Sequence, residues 1–204
     1  MWQFNHYILD FSRTTPQYYM AVFGRTSVPE GAQQYLLKYR SATGINVFTN
    51  ETDYTKYFLA GYDFSSPEPN HSPQIKYDSG TKNHYCQLDS NTSFSPAIKK
   101  KYTQLTNKDH VWIRAQVDIF IPRENTDEPP LLVMTFSRRE GLYGYNAIAL
   151  PQDSIRKGEW LKLNYDYLTP DIRSAKDEFQ CYMWYRGKKP VFIDNLKADV
   201  FVPK

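Results

Sequence analysis

The sequence predicts a mainly β protein: an antiparallel two-sheet jelly-roll β-sandwich over residues 58–204, preceded by a small α/β appendage over residues 1–57. Three observations carry this. Residues 111–121 alternate without a break, with Val111, Ile113, Ala115, Val117, Ile119 and Ile121 on one side and Trp112, Arg114, Gln116, Asp118 and Phe120 on the other. A period of two is that of a strand with one buried face. Residues 159–168 and 178–186 repeat the pattern, the first with Leu161, Leu163, Tyr165 and Tyr167 on one side, the second with Phe179, Cys181, Met183 and Tyr185. No stretch of helical period separates these segments, which disfavours a parallel α/β sheet and leaves about eight antiparallel strands.

In chain order, Ser27 and Pro29 open a helix over 29–40, because Ala32, Tyr35, Leu36 and Tyr39 share one helical face. A short strand over 45–49 follows. Residues 64–74 hold three prolines and are loop. Strands are then expected at 83–89, 102–106, 111–121, 131–138, 143–150, 159–168 and 178–186. The last runs over 191–202, with an irregularity at Asp194-Asn195. Polar turns at 123–130 and 187–190 separate the later ones.

Composition narrows the class. Of 204 residues 41% are hydrophobic and 23% charged, which excludes a disordered chain. A formal net charge of +3 is too mild to point to nucleic acid. No apolar run approaches the roughly 20 residues of a membrane span. Residues 1–20 hold Asp10 and Arg13 and do not make an intact signal peptide. The run Lys99-Lys100-Lys101 reads as a solvated loop or strand end. Cys86 and Cys181 form either a disulfide or two separate buried thiols, and no Cys/His cluster suits zinc. The four histidines, His6, His71, His84 and His110, lack metal spacing, and no nucleophile elbow or phosphate loop occurs. No pair of facing carboxylates is nominated for glycoside hydrolysis. The expectation is therefore a non-enzyme.

Aromatics make up 16% of the chain, with tyrosine in excess. Their flat, amphipathic faces suit both β-sandwich packing and ligand contact, sugars included. Trp112, Tyr182 and Trp184 fall on the polar sides of their strands and are the platform candidates. Trp184 is also a candidate for the tryptophan that a sandwich packs as structure. Tyr143 and Tyr145 flank Gly144 near a turn, and Arg138 lies close enough in sequence to hydrogen-bond hydroxyls.

The order Ser79-Gly80-Thr81-Lys82, Phe94-Ser95-Pro96, Trp112-Ile113, Gly158-Glu159-Trp160, Tyr182-x-Trp184 and Val191-Phe192-Ile193-Asp194-Asn195-Leu196 resembles the galactose-binding-like jelly rolls, among them many carbohydrate-binding modules. The resemblance implies a non-catalytic domain that binds a glycan or polysaccharide and requires no cofactor. It also implies a structural calcium held by Asp63, in Tyr62-Asp63-Phe64-Ser65, and Asp194, although the glutamate that usually follows the first motif is absent. Residues 1–57 lie outside it. They resemble the stretch after the last membrane helix of some bacterial membrane glycosyltransferases. The alternative is thus an accessory domain of a larger membrane protein, without sugar affinity of its own. Either reading implies an extracytoplasmic location, periplasmic or at the cell surface.

Overall fold

A computed structural model describes residues 51–65, 74–80, 82–108, 110–139, 141–170 and 174–204. The chain divides into two units, Met1–Glu51 and Thr52–Lys204, and the second holds the sandwich. The helix expected over 29–40 and the strand over 45–49 lie outside the described residues.

Among the described residues ten strands follow one another: β1 (Tyr54–Tyr62), β2 (Ile75–Asp78), β3 (Asn83–Leu88), β4 (Ile98–Lys101), β5 (Trp112–Phe120), β6 (Leu131–Arg138), β7 (Gly141–Ala149), β8 (Trp160–Leu168), β9 (Glu178–Trp184) and β10 (Val191–Pro203). They form a six-stranded sheet, ordered β2-β3-β10-β5-β8 with β1 also on β10, and a four-stranded sheet, ordered β4-β9-β6-β7. The pairings are antiparallel. This is the two-sheet sandwich that the alternation predicts. Among the described residues no helix is long and apolar enough to cross a membrane.

Two expectations are corrected. Residues 102–106 do not form a strand: Tyr102–Gln104 is a 3-10 turn that tucks Tyr102 and Leu105 into the core. The strand lies one step earlier, and the lysine run sits inside it as β4, backbone-paired to β9. A five-residue alternation does not separate a strand from a tight turn with one buried side. The first strand, β1, begins at Tyr54, inside the segment assigned to the appendage. It escapes detection because none of its residues is fully buried, so no period of two stands out.

The core fills the space between the sheets. It is built from the inward residues of β5 (Ile113, Ala115, Val117, Ile119) and β10 (Ile193, Leu196, Ala198, Val200), facing those of β6 (Leu132, Met134, Phe136) and β9 (Phe179, Cys181, Met183). Cys86 on β3 and Cys181 on β9 are both free and buried. Burial pushes both thiols up to about 12, so they act as small apolar core residues and not as nucleophiles.

The long β10 ties the larger sheet together. One of its edges pairs with β5. The other pairs with β3 through Val191–Ile193 and then with β1 from Leu196 onward. The changeover falls at the irregularity expected from the sequence, where the register shifts after Asp194 and Asn195 adopts a φ of 50°. Polar side chains fill the gap. Asp194 Oδ1 accepts the Asn195 N–H at 2.7 Å, and Oδ2 accepts Asn83 Nδ2 at 2.8 Å. Asn195 Nδ2 in turn donates to Asp118 Oδ2 at 2.9 Å.

Burial raises the Asp194 carboxyl above the ordinary 3.8; the bonds from Asn83 and Asn195 oppose the rise, and the nearby charges of Asp118 and Asp63 add to it. The folded state therefore holds this proton more tightly than the unfolded chain does. The group weakens the fold as pH climbs from 3.8 through the raised folded value. Relative to the parent, Asp194→Asn should gain stability as pH rises across that interval. Urea midpoints taken from acid to neutral pH check this, and a variant-minus-parent difference that falls with rising pH would contradict it.

On the outer face of the six-stranded sheet, Tyr85, Phe192, Phe120 and Trp160 form a row across β3, β10, β5 and β8. Successive ring centroids lie 4.8, 5.9 and 5.5 Å apart, with the rings inclined by 59°, 36° and 54°.

Candidate functional site

The site begins with the alternation of β9. Phe179, Cys181 and Met183 are wholly buried, so Glu178, Gln180, Tyr182 and Trp184 point away from the core. Pairing with β6 sets Trp184 opposite Leu131, Tyr182 opposite Val133 and Gln180 opposite Thr135. Thr135 in turn faces Tyr145 on β7. A single bridge brings Phe94, from the loop before β4, alongside Trp184. Its ring lies 6.1 Å from Trp184 at an angle of only 9°, and 5.9 Å from Tyr182 at 64°. Phe94 and Tyr145 are each 53% exposed. The Tyr182 hydroxyl is held above the usual tyrosine range, first by its partial burial and then by Tyr145.

Arg186 lies over Trp184. Its guanidinium lies 5.1 Å from the centre of the Trp184 ring, and Nη2 donates to Glu128 Oε2 at 3.1 Å. There the aromatic face opens into a groove of about 340 Å³, bordered by Asp127, Glu128, Pro129, Leu131, Trp184 and Arg186.

The groove is supported by Asn125, which is 1% exposed. Its Nδ2 donates to Tyr185 Oη at 3.0 Å, the Pro190 carbonyl at 3.1 Å and the Lys189 carbonyl at 3.3 Å. Its Oδ1 accepts the Asp127 N–H at 2.8 Å. Asp127 Oδ2 accepts the N–H groups of Lys188 and Lys189 at 2.7 and 2.9 Å, and these bonds hold its carboxyl below the ordinary range. Gly187 completes the wall, since a Cβ there would lie 2.1 Å from Tyr185 Oη. The wall is thus fixed before any ligand arrives, which lowers the ordering cost of binding.

Of the residues singled out in the sequence, Tyr182, Trp184 and Tyr145 share this face. Trp112 does not, and its expected exposure is corrected: it is 2% exposed, in register with Leu168 and Phe201, which are also buried. Alternation tells which side of a sheet a residue takes, not whether that side meets water. Tyr143 is half-buried; its hydroxyl donates to Asp177 Oδ2 at 2.6 Å and its ring lies 6.4 Å from Phe136. A register shift between Phe136 and Ser137 turns this part of β7 out of simple alternation. Arg138 is exposed at the end of β6 opposite Gly141, far from Leu131 and Trp184 at the other end of the sheet, roughly 3.3 Å of separation for every intervening residue. Phe94 and Arg186 were not singled out as contacts, because a lone aromatic in a loop and a lone arginine after a strand carry no period.

The calcium implied for Asp63 and Asp194 meets a poor donor set. Both Asp194 oxygens accept N–H groups, and Asp63 Oδ1 accepts the Ser65 N–H at 3.1 Å. Among the described residues no group of three or more His, Cys, Asp or Glu is placed to hold a metal ion. A calcium ion takes six or more oxygens. The residues as arranged do not fit it, and Asp194 serves the strand irregularity instead.

No family model matches the chain, and no curated protein matches it. Among solved structures, it is similar to a CBM22 xylan-binding domain from Paenibacillus barcinonensis, at 11% identity over 74% of this chain and 98% of that one, with a TM-score of 0.44. It is also similar to a family 22 carbohydrate-binding module of Clostridium thermocellum, at 8% identity over 70% of this chain and 92% of that one, with a TM-score of 0.45. A third is a carbohydrate-binding module described as recognising mannan, at 18% identity over 71% of this chain and 98% of that one, with a TM-score of 0.40. These superpositions are partial and the identities low.

Proposed function

We propose that the sandwich is a carbohydrate-binding domain that holds a glycan against the face formed by Phe94, Tyr182, Trp184 and Tyr145, with no catalytic step. The observation that carries this is the pair of nearly parallel rings, the exposed Phe94 and the part-exposed Trp184, beside a groove. The exposed rings of Phe94 and Tyr145, with Trp184 and Tyr182 beside Phe94, offer a sugar apolar faces to pack against. Gln180 beside the platform and Arg186 at its end supply the planar donors that hydroxyls need.

Stacking on so few rings gives modest affinity, with Kd between about 1 μM and 1 mM, or about −8 to −4 kcal/mol. A glycan array followed by titration calorimetry tests the reading. Trp184→Ala is expected to weaken binding at least about tenfold, which is about 1.4 kcal/mol. Its circular-dichroism spectrum should stay that of a β protein, since Trp184 lies outside the core. If no glycan binds at millimolar concentration, the domain is instead an accessory part of a larger extracytoplasmic protein.

A further inference from the structure

We infer that the glycan held by this face is acidic, carrying carboxylate or sulfate groups; this rests on the glycan-binding reading above and names its ligand class. The lysine run Lys99-Lys100-Lys101 lies in β4. In β4, Ile98 is buried and pairs with the inward Cys181. Alternation then sends Lys99 and Lys101, opposite Gln180 and Glu178, to the side that bears Tyr182 and Trp184. Both lysines are exposed. Lys99 is the diagonal cross-strand neighbour of Tyr182, at a backbone separation of about 7–8 Å, within reach of a long side chain.

Neither ammonium takes part in an ion pair among the described residues. The face's own carboxylates are partly occupied. Glu128 pairs with Arg186, and Glu178 Oε1 accepts Gln180 Nε2 at 2.6 Å. The aromatic platform therefore lies between two exposed lysines along β4 and an arginine over Trp184 that is itself paired with Glu128. A neutral sugar takes only ordinary hydrogen bonds from these groups. An acidic one gains charge-assisted hydrogen bonds at the platform's margins while its ring stacks in the middle.

The experiment measures, by calorimetry on the intact chain, the affinities for a uronic-acid oligosaccharide, a sulfated one and a neutral one of equal length. Polyphosphate serves as a charge-only control. The expected result is at least about a tenfold preference for an acidic oligosaccharide over the neutral one, and over polyphosphate. The preference should shrink in high salt, where exposed charges are screened over only about 3 Å. The double variant K99Q/K101Q should lower the acidic-to-neutral ratio, and W184A should weaken binding of the acidic glycan itself. Equal affinity for acidic and neutral oligosaccharides would overturn the inference and leave the glycan reading standing. Polyphosphate binding as tightly as the acidic glycan, with W184A without effect, would overturn it in favour of a bare cation patch. Binding of none of them would remove the glycan reading itself.

Discussion

Phe136→Ala is expected to lower the unfolding free energy by about 4 kcal/mol, within the 3–5 kcal/mol span for truncating a buried phenylalanine. Phe136 is fully buried at the middle of β6. Its ring lies 5.4 Å from Phe179 on the neighbouring strand, 6.2 Å from Tyr167 on the opposite sheet and 6.3 Å from Tyr102 in the 3-10 turn. Removing it opens a void bordered by four elements, since Tyr143 on β7 also lies 6.4 Å away. Domains of this kind are stable by about 5–15 kcal/mol, so the loss takes a large share of the total. The thermal midpoint should fall by about 10 °C, at roughly 2–4 °C per kcal/mol. Urea titration is the direct check. A loss below about 1 kcal/mol would mean that the surrounding rings collapse into the gap and do not depend on Phe136.

Asn125→Ala is the second large effect, expected at about 2–3 kcal/mol from the buried partners it leaves unpaired. One amide serves four groups at once, three of them as acceptors. Without it the carbonyl of Pro190 and the N–H of Asp127 lose the partner that holds the two sides of the groove together. Asn125→Asp separates this hub from a mere packing role. It keeps the shape but points a carboxylate at the three oxygens that Nδ2 now serves. It should be at least as damaging as alanine, and a milder loss would refute the hub. Glycan affinity should fall in both variants, because the wall containing Gly187 and Arg186 is no longer held in place.

The same residues explain how much could be read beforehand. β5, β8 and β9 were legible because each buries one face against the opposite sheet, and burial of one face is what produces a period of two. The irregularity in β10 was legible because Asp194 and Asn195 interrupt an apolar strand. Tyr182 and Trp184 were legible as outward residues for the same reason that Cys181 and Met183 were legible as inward ones. Trp112 obeyed the same alternation yet is buried, since the pattern carries no information about what lies over a sheet. Phe94 joins the face through one long-range bridge, and a contact between distant loops leaves no trace in local spacing. The direction of Lys99 and Lys101 depended on knowing that β4 is a strand and how it registers with β9. Three like charges in a row say nothing of that on their own.

The partner exchange along β10 has a consequence in time. Tyr54 pairs with Pro203, and Cys86 pairs with Ile193, so the earliest strands of the sheet wait for the last one to be synthesised. While the ribosome still holds β10, β1 has no neighbour in the larger sheet, and β3 has only the short β2. The smaller sheet is different: β6 and β7 can pair as soon as they emerge, and β9 adds before β10 appears. A nascent chain of this domain therefore carries a half-built sandwich, with the inner face of its first sheet open to water until the final strand arrives. Folding dominated by such distant pairings is slow, and the exposed edges during that wait are where a chaperone, or another nascent copy, would find it.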